Sequence, residues 1–383
     1  MKKILSIALV ALLAVSSVFA ADFSGSASLN FGYDFESKKW GFDNDQSTKI
    51  DITAEFKSGS VDSKGEGDIY AGIKAAFKVN FVAKKGTTSD FVGLQIPAGG
   101  ASISEAYVTN GEWKVSILSA AGAKDFATSA AIDGNSKVTY APAAPAAPGV
   151  TVTYKDYTVG FGIAGDTAAK TIDWSASVAT PAYTLAEGLT ANFAVAAADD
   201  TVVAASANVA YDADVDASLK ADFGYSTADK AFDFDVAANL AVAPVTVDAY
   251  YNYGKNMLKA QAVVDLAPFK VTVADKDILN THPITASVEY KVSDALTVKA
   301  NGGYTVASKE WSVGASAEYK VEAYTAKAGI DYKSAKVLTA NASIESAAII
   351  PGATLKLAYA PSASSNLLNK AYGAVNASCT IAF

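Results

Sequence analysis

Histidine and cysteine are the residues that most often bind metals or act as nucleophiles, and the 383-residue chain has one of each. Cys379 alone rules out a disulfide framework, and together with His282 it is too little for a Cys/His metal site. His282 lies in the sequence Asn-Thr-His-Pro at 280–283, which is typical of a turn. A Ser-His pair would need a geometry that spacing cannot show. We therefore expect no enzyme activity, no cofactor and no metal site.

The charged residues exclude two further classes of protein. The formal net charge is −8, and every basic residue is Lys, because the sequence contains no Arg. An acidic chain without guanidinium groups is a poor nucleic-acid binder. With 51% hydrophobic and only 18% charged residues, the chain is also too apolar to be disordered. The question is where so much apolar surface goes.

The first twenty residues have the pattern of an export signal. Lys2 and Lys3 precede an apolar run over 4–15, and small residues lead to Ala20. A charged start, an apolar middle and a small-residue end define a signal peptide. We predict a signal peptide at 1–20, cleaved after Ala20, and a single domain at 21–383. After residue 20 the sequence has no run of 18 apolar residues, so we expect no membrane-spanning helix.

The rest of the chain alternates with a period of two. Over 23–35 the odd positions carry Phe, Gly, Ala, Leu, Phe, Tyr and Phe, and the even positions carry small or polar residues. Strict alternation indicates a β-strand with one apolar face and excludes an amphipathic helix, whose period is 3.6. The same pattern recurs to the C-terminus, where apolar residues alternate from Val375 to Phe383.

Strand length points to a membrane. Many alternating segments run about 9–13 residues, whereas strands of soluble proteins usually have about 5–6 and membrane-crossing strands about 9–11. Tyr and Phe often end the apolar face, as at Tyr33, Tyr251 and Tyr304, which suits interfacial aromatic girdles. We predict an all-β fold: a transmembrane antiparallel β-barrel with short periplasmic turns. A secreted soluble β-protein is the alternative, since antiparallel sandwiches also alternate.

The number of strands is less definite than their type. Alternation yields about 23 candidates, yet bacterial single-chain barrels have even numbers, so we expect about 16–22 strands. The weakest candidates are 136–141, 269–274 and 354–360, and 91–96 is a segment that could add a strand.

One stretch resembles a known family. The sequence Glu-Ala-Tyr-Val at 105–108, Asn-Gly at 110–111 and Trp-Lys-Val at 113–115 resembles a hairpin of Gram-negative porins, and 135–142 resembles a following strand of that family. Together these matches cover roughly residues 103–154. A spirochaete outer-sheath protein is a second, vaguer resemblance, based on the Lys-only composition and the general pattern.

The porin resemblance implies a constriction. In that family the loop between the two motifs folds into the barrel and narrows the pore, and the corresponding loop here is 120–135. The family often places a basic ladder opposite an acidic loop; without Arg, only lysines could take that part. The pore-lining and constriction candidates are Lys74, Lys78, Glu105, Lys114, Lys124, Asp125 and Asp133.

These features predict a porin in the outer membrane of a diderm bacterium. A wall with so many strands encloses a water-filled channel, and small polar inward residues suit passive diffusion of small hydrophilic solutes and ions. The acidic excess favours weak cation selectivity. Expected partners are outer-membrane lipid, the barrel-assembly machinery through the last strand ending in Phe383, and, by the resemblance, two further copies in a homotrimer. A structural or adhesive surface barrel without channel activity is the alternative function.

Overall fold

The computed structural model describes most of the chain after the predicted signal peptide. The described residues are 20–42, 49–57, 68–85, 90–95, 100–118, 126–127, 132, 149–166, 171–199, 202–212, 215–361 and 365–382. The predicted peptide at 1–20, except Ala20, the candidate strand at 136–141 and the terminal Phe383 lie outside them.

The described residues form 25 strands, all in one sheet in which neighbouring strands are antiparallel. The strands are β1 Ala20–Asp34, β2 Lys39–Phe42, β3 Lys49–Lys57, β4 Tyr70–Lys85, β5 Asp90–Gln95, β6 Ala101–Thr109, β7 Trp113–Ile117, β8 Gly149–Tyr154, β9 Tyr157–Asp166, β10 Thr171–Ala179, β11 Tyr183–Ala186, β12 Leu189–Ala198, β13 Val202–Asp212, β14 Asp216–Ser226, β15 Ala231–Val242, β16 Val245–Asn252, β17 Met257–Leu266, β18 Phe269–Asp275, β19 Pro283–Lys291, β20 Leu296–Thr305, β21 Glu310–Lys320, β22 Thr325–Lys333, β23 Val337–Ile350, β24 Ala353–Ala360 and β25 Ala374–Ala382. A short 3-10 turn, Leu367–Asn369, precedes β25.

The sheet closes on itself. β1 pairs with β3 on one side and with the last strand, β25, on the other, from Ser26 opposite Ala382 to Asp34 opposite Ala374. Twenty-two strands form a closed antiparallel barrel, and the other three, β2, β5 and β11, extend hairpins beside it. The predicted transmembrane barrel fold is therefore confirmed, at the upper limit of the expected strand number. Within the described residues, each of the 22 wall strands therefore has a partner strand on both sides, so the wall has no open edge, which lipid could not hydrogen-bond.

The weak strand candidates have separate outcomes. The segments 269–274 and 354–360 are the wall strands β18 and β24. The segment 91–96 corresponds to β5. This strand pairs with residues 80–85 at the end of β4 and forms a hairpin with it beside the barrel wall.

The two faces of the wall differ as the alternation predicts. On the outer face large apolar side chains remain exposed, for example Val195 (55%), Leu219 (54%) and Val313 (52%). Their neighbours along each strand point to the inside and are small or polar. One β-bulge preserves this arrangement on β6: Lys74 pairs with Glu105 but the next residue of β4 pairs with Ile103. The extra residue keeps Glu105 inside while Ile103 lies 56% exposed outside.

Aromatic rings form two belts on the outer face. We call the end of the barrel where β1 begins the proximal end, and the end where β1 finishes the distal end. Proximal ring contacts include Tyr157–Tyr183, Phe269–Tyr290 and Tyr319–Tyr324, and distal contacts include Phe232–Tyr253 and Trp311–Tyr332. At ~3.3 Å per residue and a tilt of ~40°, Trp311 and Tyr319 on β21 lie about 20 Å apart along the axis, close to the ~25 Å apolar band of outer-membrane barrels.

Tight turns join the strands at the proximal end. Lys155 and Asp156 connect β8 to β9, and both have positive φ (45° and 69°), as a type I′ hairpin requires. Gly111 (φ 93°) lies in the turn between β6 and β7, where the Asn110 side chain accepts the backbone N–H groups of Glu112 and Trp113. No helix among the described residues is long and apolar enough to span a membrane.

The outer face gives the first testable prediction. Ala300→Lys, at the middle of β20 on the outer face, should lower the free energy of unfolding in lipid vesicles by about 2–4 kcal/mol, because the ammonium group must enter hydrocarbon. Asn301→Lys, one residue along on the inner face, is the matched control and should change it by less than about 0.5 kcal/mol. Equal, small effects of the two substitutions in a denaturant titration would show that water, not lipid, surrounds the outer face.

Candidate functional site in the barrel lumen

The predicted pore-lining residues of β4, β6 and β7 meet on the inner wall. The Lys74 Nζ lies 2.9 Å from Glu105 Oε2, and Lys114 pairs with the other oxygen of the same carboxylate. Ser116 Oγ also donates to Glu105 at 2.6 Å. Lys78 lies on the same wall, with its Nζ 3.9 Å from Asp51 Oδ1. Lys124, Asp125 and Asp133 lie outside the described residues.

This network extends to a residue of β3 that the sequence analysis missed. Glu55 lies opposite Lys74 in the β3–β4 register, with its Oε1 3.9 Å from the Lys74 Nζ and its Oε2 3.4 Å from the Lys57 Nζ. Tyr107 on β6 reaches across β4 to donate its hydroxyl to Glu55 at 2.6 Å. The crossing depends on Gly72, because a Cβ there would lie within 2.3–2.6 Å of the Tyr107 ring. We call Glu55, Lys74, Glu105, Tyr107 and Lys114 the ion-pair sector.

A second group of charges lies on β14, β15 and β16. We call Asp222, Asp233, Asp235 and Asp248 the acidic sector; each is 0–2% exposed. Every one of these carboxylates accepts a hydrogen bond: Asp233 from the backbone N–H of Gly254 (2.7 Å), Asp235 from the Tyr250 hydroxyl (2.8 Å) and Asp248 from Asn239 (2.7 Å). Asp222 accepts the backbone N–H groups of Phe126 and Ala127. Part of the connection between β7 and β8 therefore lies against the acidic sector.

The wall between these two sectors carries opposite charges side by side. Lys327 lies 2.6 Å from Glu318, and Lys356 lies 3.7 Å from Glu345. These side chains are about half exposed, so water and salt screen them strongly. An inner wall of paired, hydrated charges can contact water and ions along the barrel.

The remaining candidates for chemistry do not assemble into a site. His282 lies in the turn between β18 and β19, with its Nδ1 3.0 Å from Asp275 Oδ2. Cys379 lies half-buried on the outer face of β25. No group of three or more His, Cys, Asp or Glu side chains in the described part of the chain could hold a metal ion.

Comparison with known proteins shows likeness of fold only. No protein-family model matches the chain, and neither does any curated protein. Solved structures with a similar fold include the P pilus usher (PapC) translocation pore. Its sequence identity is 9% and its TM-score is 0.44, and the match covers 94% of this chain and 99% of that chain. A Rhodopseudomonas blastica porin variant matches at 10% identity and a TM-score of 0.35, with coverage of 95% and 100%.

A carboxylate of the ion-pair sector should contribute more to stability than a carboxylate in a single exposed ion pair elsewhere on the inner wall. Glu105→Gln should lower the free energy of unfolding by about 1–3 kcal/mol, because Glu105 is 17% exposed and bonds to Lys74, Lys114 and Ser116. Glu318→Gln removes a single exposed pair and should cost less than about 1 kcal/mol. Unfolding of the two variants by guanidinium in detergent micelles measures both values. Equal losses would mean that the bonds around Glu105 add nothing beyond an ordinary surface ion pair.

Proposed function

We propose that the chain forms a water-filled channel for passive diffusion of small hydrophilic solutes and ions across an outer membrane. The closed 22-strand wall with a polar inner face carries this proposal. Twenty-two strands spaced ~4.8 Å apart and tilted by ~40° enclose a backbone cylinder about 40 Å across, far wider than wall side chains can fill. The apolar outer face with its two aromatic belts suits lipid, so the water lies inside.

The location follows from the same features. A closed barrel with an apolar outer band suits the outer membrane of a diderm bacterium, and the sequence of the first twenty residues supports export by a cleaved signal peptide. We further propose that the segment between β7 and β8 narrows the lumen, because Phe126 and Ala127 contact the wall at β14. Assembly into a homotrimer belongs to the proposal on the porin resemblance alone.

Purified protein inserted into a planar bilayer should produce stepwise increases in conductance that scale with the KCl concentration. The expected cause is continuous water along the lumen. The matched control is the same load of heat-unfolded protein, which should give no steps. Insertion verified by protease protection, without conductance steps, would reject the channel and favour the alternative of a structural or adhesive barrel.

The channel should prefer cations weakly. The chain is acidic overall, but the ion pairs of the inner wall neutralise much of the charge that faces the lumen. In a KCl gradient across the bilayer the reversal potential should therefore deviate modestly toward the value for a potassium-selective pore. A deviation toward the chloride value would contradict the charge argument while leaving the channel itself intact.

A further inference from the structure

The inner wall has a hollow at the distal end of the barrel, on β19, β20, β21 and β22. Its floor is the backbone at Ile284, Tyr304 and Trp311, whose exposed side chains lie on the outer face. Because Trp311 belongs to the distal aromatic belt, the hollow lies at the distal mouth of the lumen. Its volume is about 390 Å³, in the lower part of the ~300–1,000 Å³ range of small-molecule sites. We call this hollow the distal pocket.

Two rows of inward-facing residues form the sides of the distal pocket. Glu310 and Ser312 of β21 lie an even number of residues from Glu318, so they share its inner face. The deeper row consists of residues that lie opposite one another in register: Thr285, Gly303, Ser312 and Lys333. The row nearer the mouth consists of Pro283, Thr305 and Glu310. Hydroxyl and charged groups predominate in both rows, which suits a polar solute.

Glycine at position 303 opens the middle of the deeper row. A Cβ at this position would lie 3.0 Å from Ser312 Oγ and 3.8 Å from Thr285 Cγ2, so a larger side chain would occupy the space between these two residues. The gap therefore admits the carbon skeleton of a small solute, with polar groups on both sides of it.

Opposite charges lie on the two sides of the distal pocket. Glu310 comes two residues before Ser312, and Ser312 lies opposite Lys333, so Glu310 and Lys333 are diagonal neighbours with Cβ atoms about 7 Å apart. Both side chains are exposed. The Glu310 carboxylate accepts the Ser308 hydroxyl at 2.9 Å. Within the described residues Lys333 forms no ion pair, unlike Lys327 of the same strand, so a solute can contact both charges.

The charges that surround the two rows balance one another. In the distal turns beside β19–β22 and one row deeper on the wall lie three carboxylates and three lysines: Asp275, Asp277, Asp331, Lys276, Lys309 and Lys336. Two of the carboxylates have partners of their own, because Asp275 bonds to His282 and Asp331 lies over Gly314 beside Asn301. The pocket therefore has one charge of each sign and no net charge around it that would favour an anion or a cation.

We propose that the distal pocket is a weak binding site for small zwitterions such as free α-amino acids, with Lys333 binding the carboxylate and Glu310 binding the ammonium group. This inference rests on the proposed channel function, for which it names a class of solute. A zwitterion gains both charge contacts for one loss of translational freedom, whereas a simple ion gains one contact and meets one repulsion. Weak binding at the mouth suits a channel, because the solute must also leave.

The first experiment measures binding to the full chain in detergent micelles by saturation-transfer NMR, with L-alanine, lactate and ethylamine as probes. All three have short carbon skeletons, but lactate lacks the ammonium group and ethylamine lacks the carboxylate. We expect saturable transfer to L-alanine and at least about threefold weaker binding of the two singly charged probes, as loss of one exposed charge contact predicts. Empty micelles are the control. Lactate or ethylamine binding as tight as that of L-alanine would overturn the proposal, and so would the absence of saturable transfer to L-alanine.

The second experiment assigns the binding to the two charges of the distal pocket. Lys333→Gln should weaken L-alanine binding by at least about threefold and leave ethylamine bound as tightly as L-alanine. Glu310→Gln should weaken L-alanine equally and bring lactate level with it. Lys327→Gln, which removes a lysine from the same face of the same strand, is the matched control and should keep the wild-type order. Unchanged probe preference in either folded pocket variant would overturn the proposal, as would an equal loss in Lys327→Gln; each pocket variant is decisive if the other does not fold.

Binding and conductance are measured separately, so the failure of this inference is distinguishable from that of the proposed function. If the wild type inserts into planar bilayers without conductance steps but binds L-alanine with these dependences, the channel fails and the binding site stands. If the wild type conducts and L-alanine binding does not respond to Lys333→Gln or Glu310→Gln, the channel stands and the distal pocket is not a zwitterion site.

Discussion

Pairing of every backbone edge in a closed sheet is the constraint on which the rest of the structure depends. Lipid offers no hydrogen-bond partner, so an open strand edge would leave buried amides unsatisfied at several kcal/mol each. The pairing of β1 with β25 removes the last open edge. Once the sheet closes, alternation assigns each side chain to the lipid or to the lumen, and a one-residue slip would reverse a whole strand. The bulge on β6, opposite Lys74 of β4, is an example: its extra residue keeps Ile103 on the outer face and Glu105 on the inner face.

Alternation predicted the fold well because it is a local property of the chain. Strands such as β1, β14 and β21 could be identified from their own residues, and even the weak candidates β18 and β24 are real, since their short patterns still alternate. The strand number was harder to predict because alternation alone cannot tell whether a strand belongs to the wall. β11 alternates, with Tyr183 and Leu185 against Thr184 and Ala186, yet it extends a hairpin instead of completing the barrel.

Alternation could place single residues such as Lys74, Glu105 and Lys114 on the polar face of their strands, but it could not give their partners. Glu105 and Lys114 flank a tight turn, whereas the pairing of Glu105 with Lys74 depends on the register between β4 and β6. Glu55 escaped prediction because its place beside Lys74 depends on the register across a long connection. Asp222 is 95 residues from Ala127, and no periodic signal relates a strand residue to a loop that folds onto it. An inward-facing carboxylate in an alternating strand is also indistinguishable from its neighbours until the contact is seen.

The net charge of the sequence does not say which charged groups an ion in the lumen can contact. The net charge of −8 suggests a cation-selective lumen, but several carboxylates of the inner wall bond to lysines, as in the ion-pair sector, or are buried, as in the acidic sector. Burial and pairing, not the number of carboxylates, determine what an ion in the lumen meets.

The barrel fold and the proposed channel together require that one face of each wall strand meets lipid and the other meets water. Single cysteines placed along β20 in a Cys379→Ser background, then treated with a water-soluble maleimide in vesicles, test it most directly. Labelling should alternate along the strand: fast at the inward positions Thr297, Lys299 and Asn301, and slow at the outward positions Val298 and Ala300. Uniform fast labelling would contradict the lipid-facing wall, and uniform slow labelling would contradict a lumen filled with water.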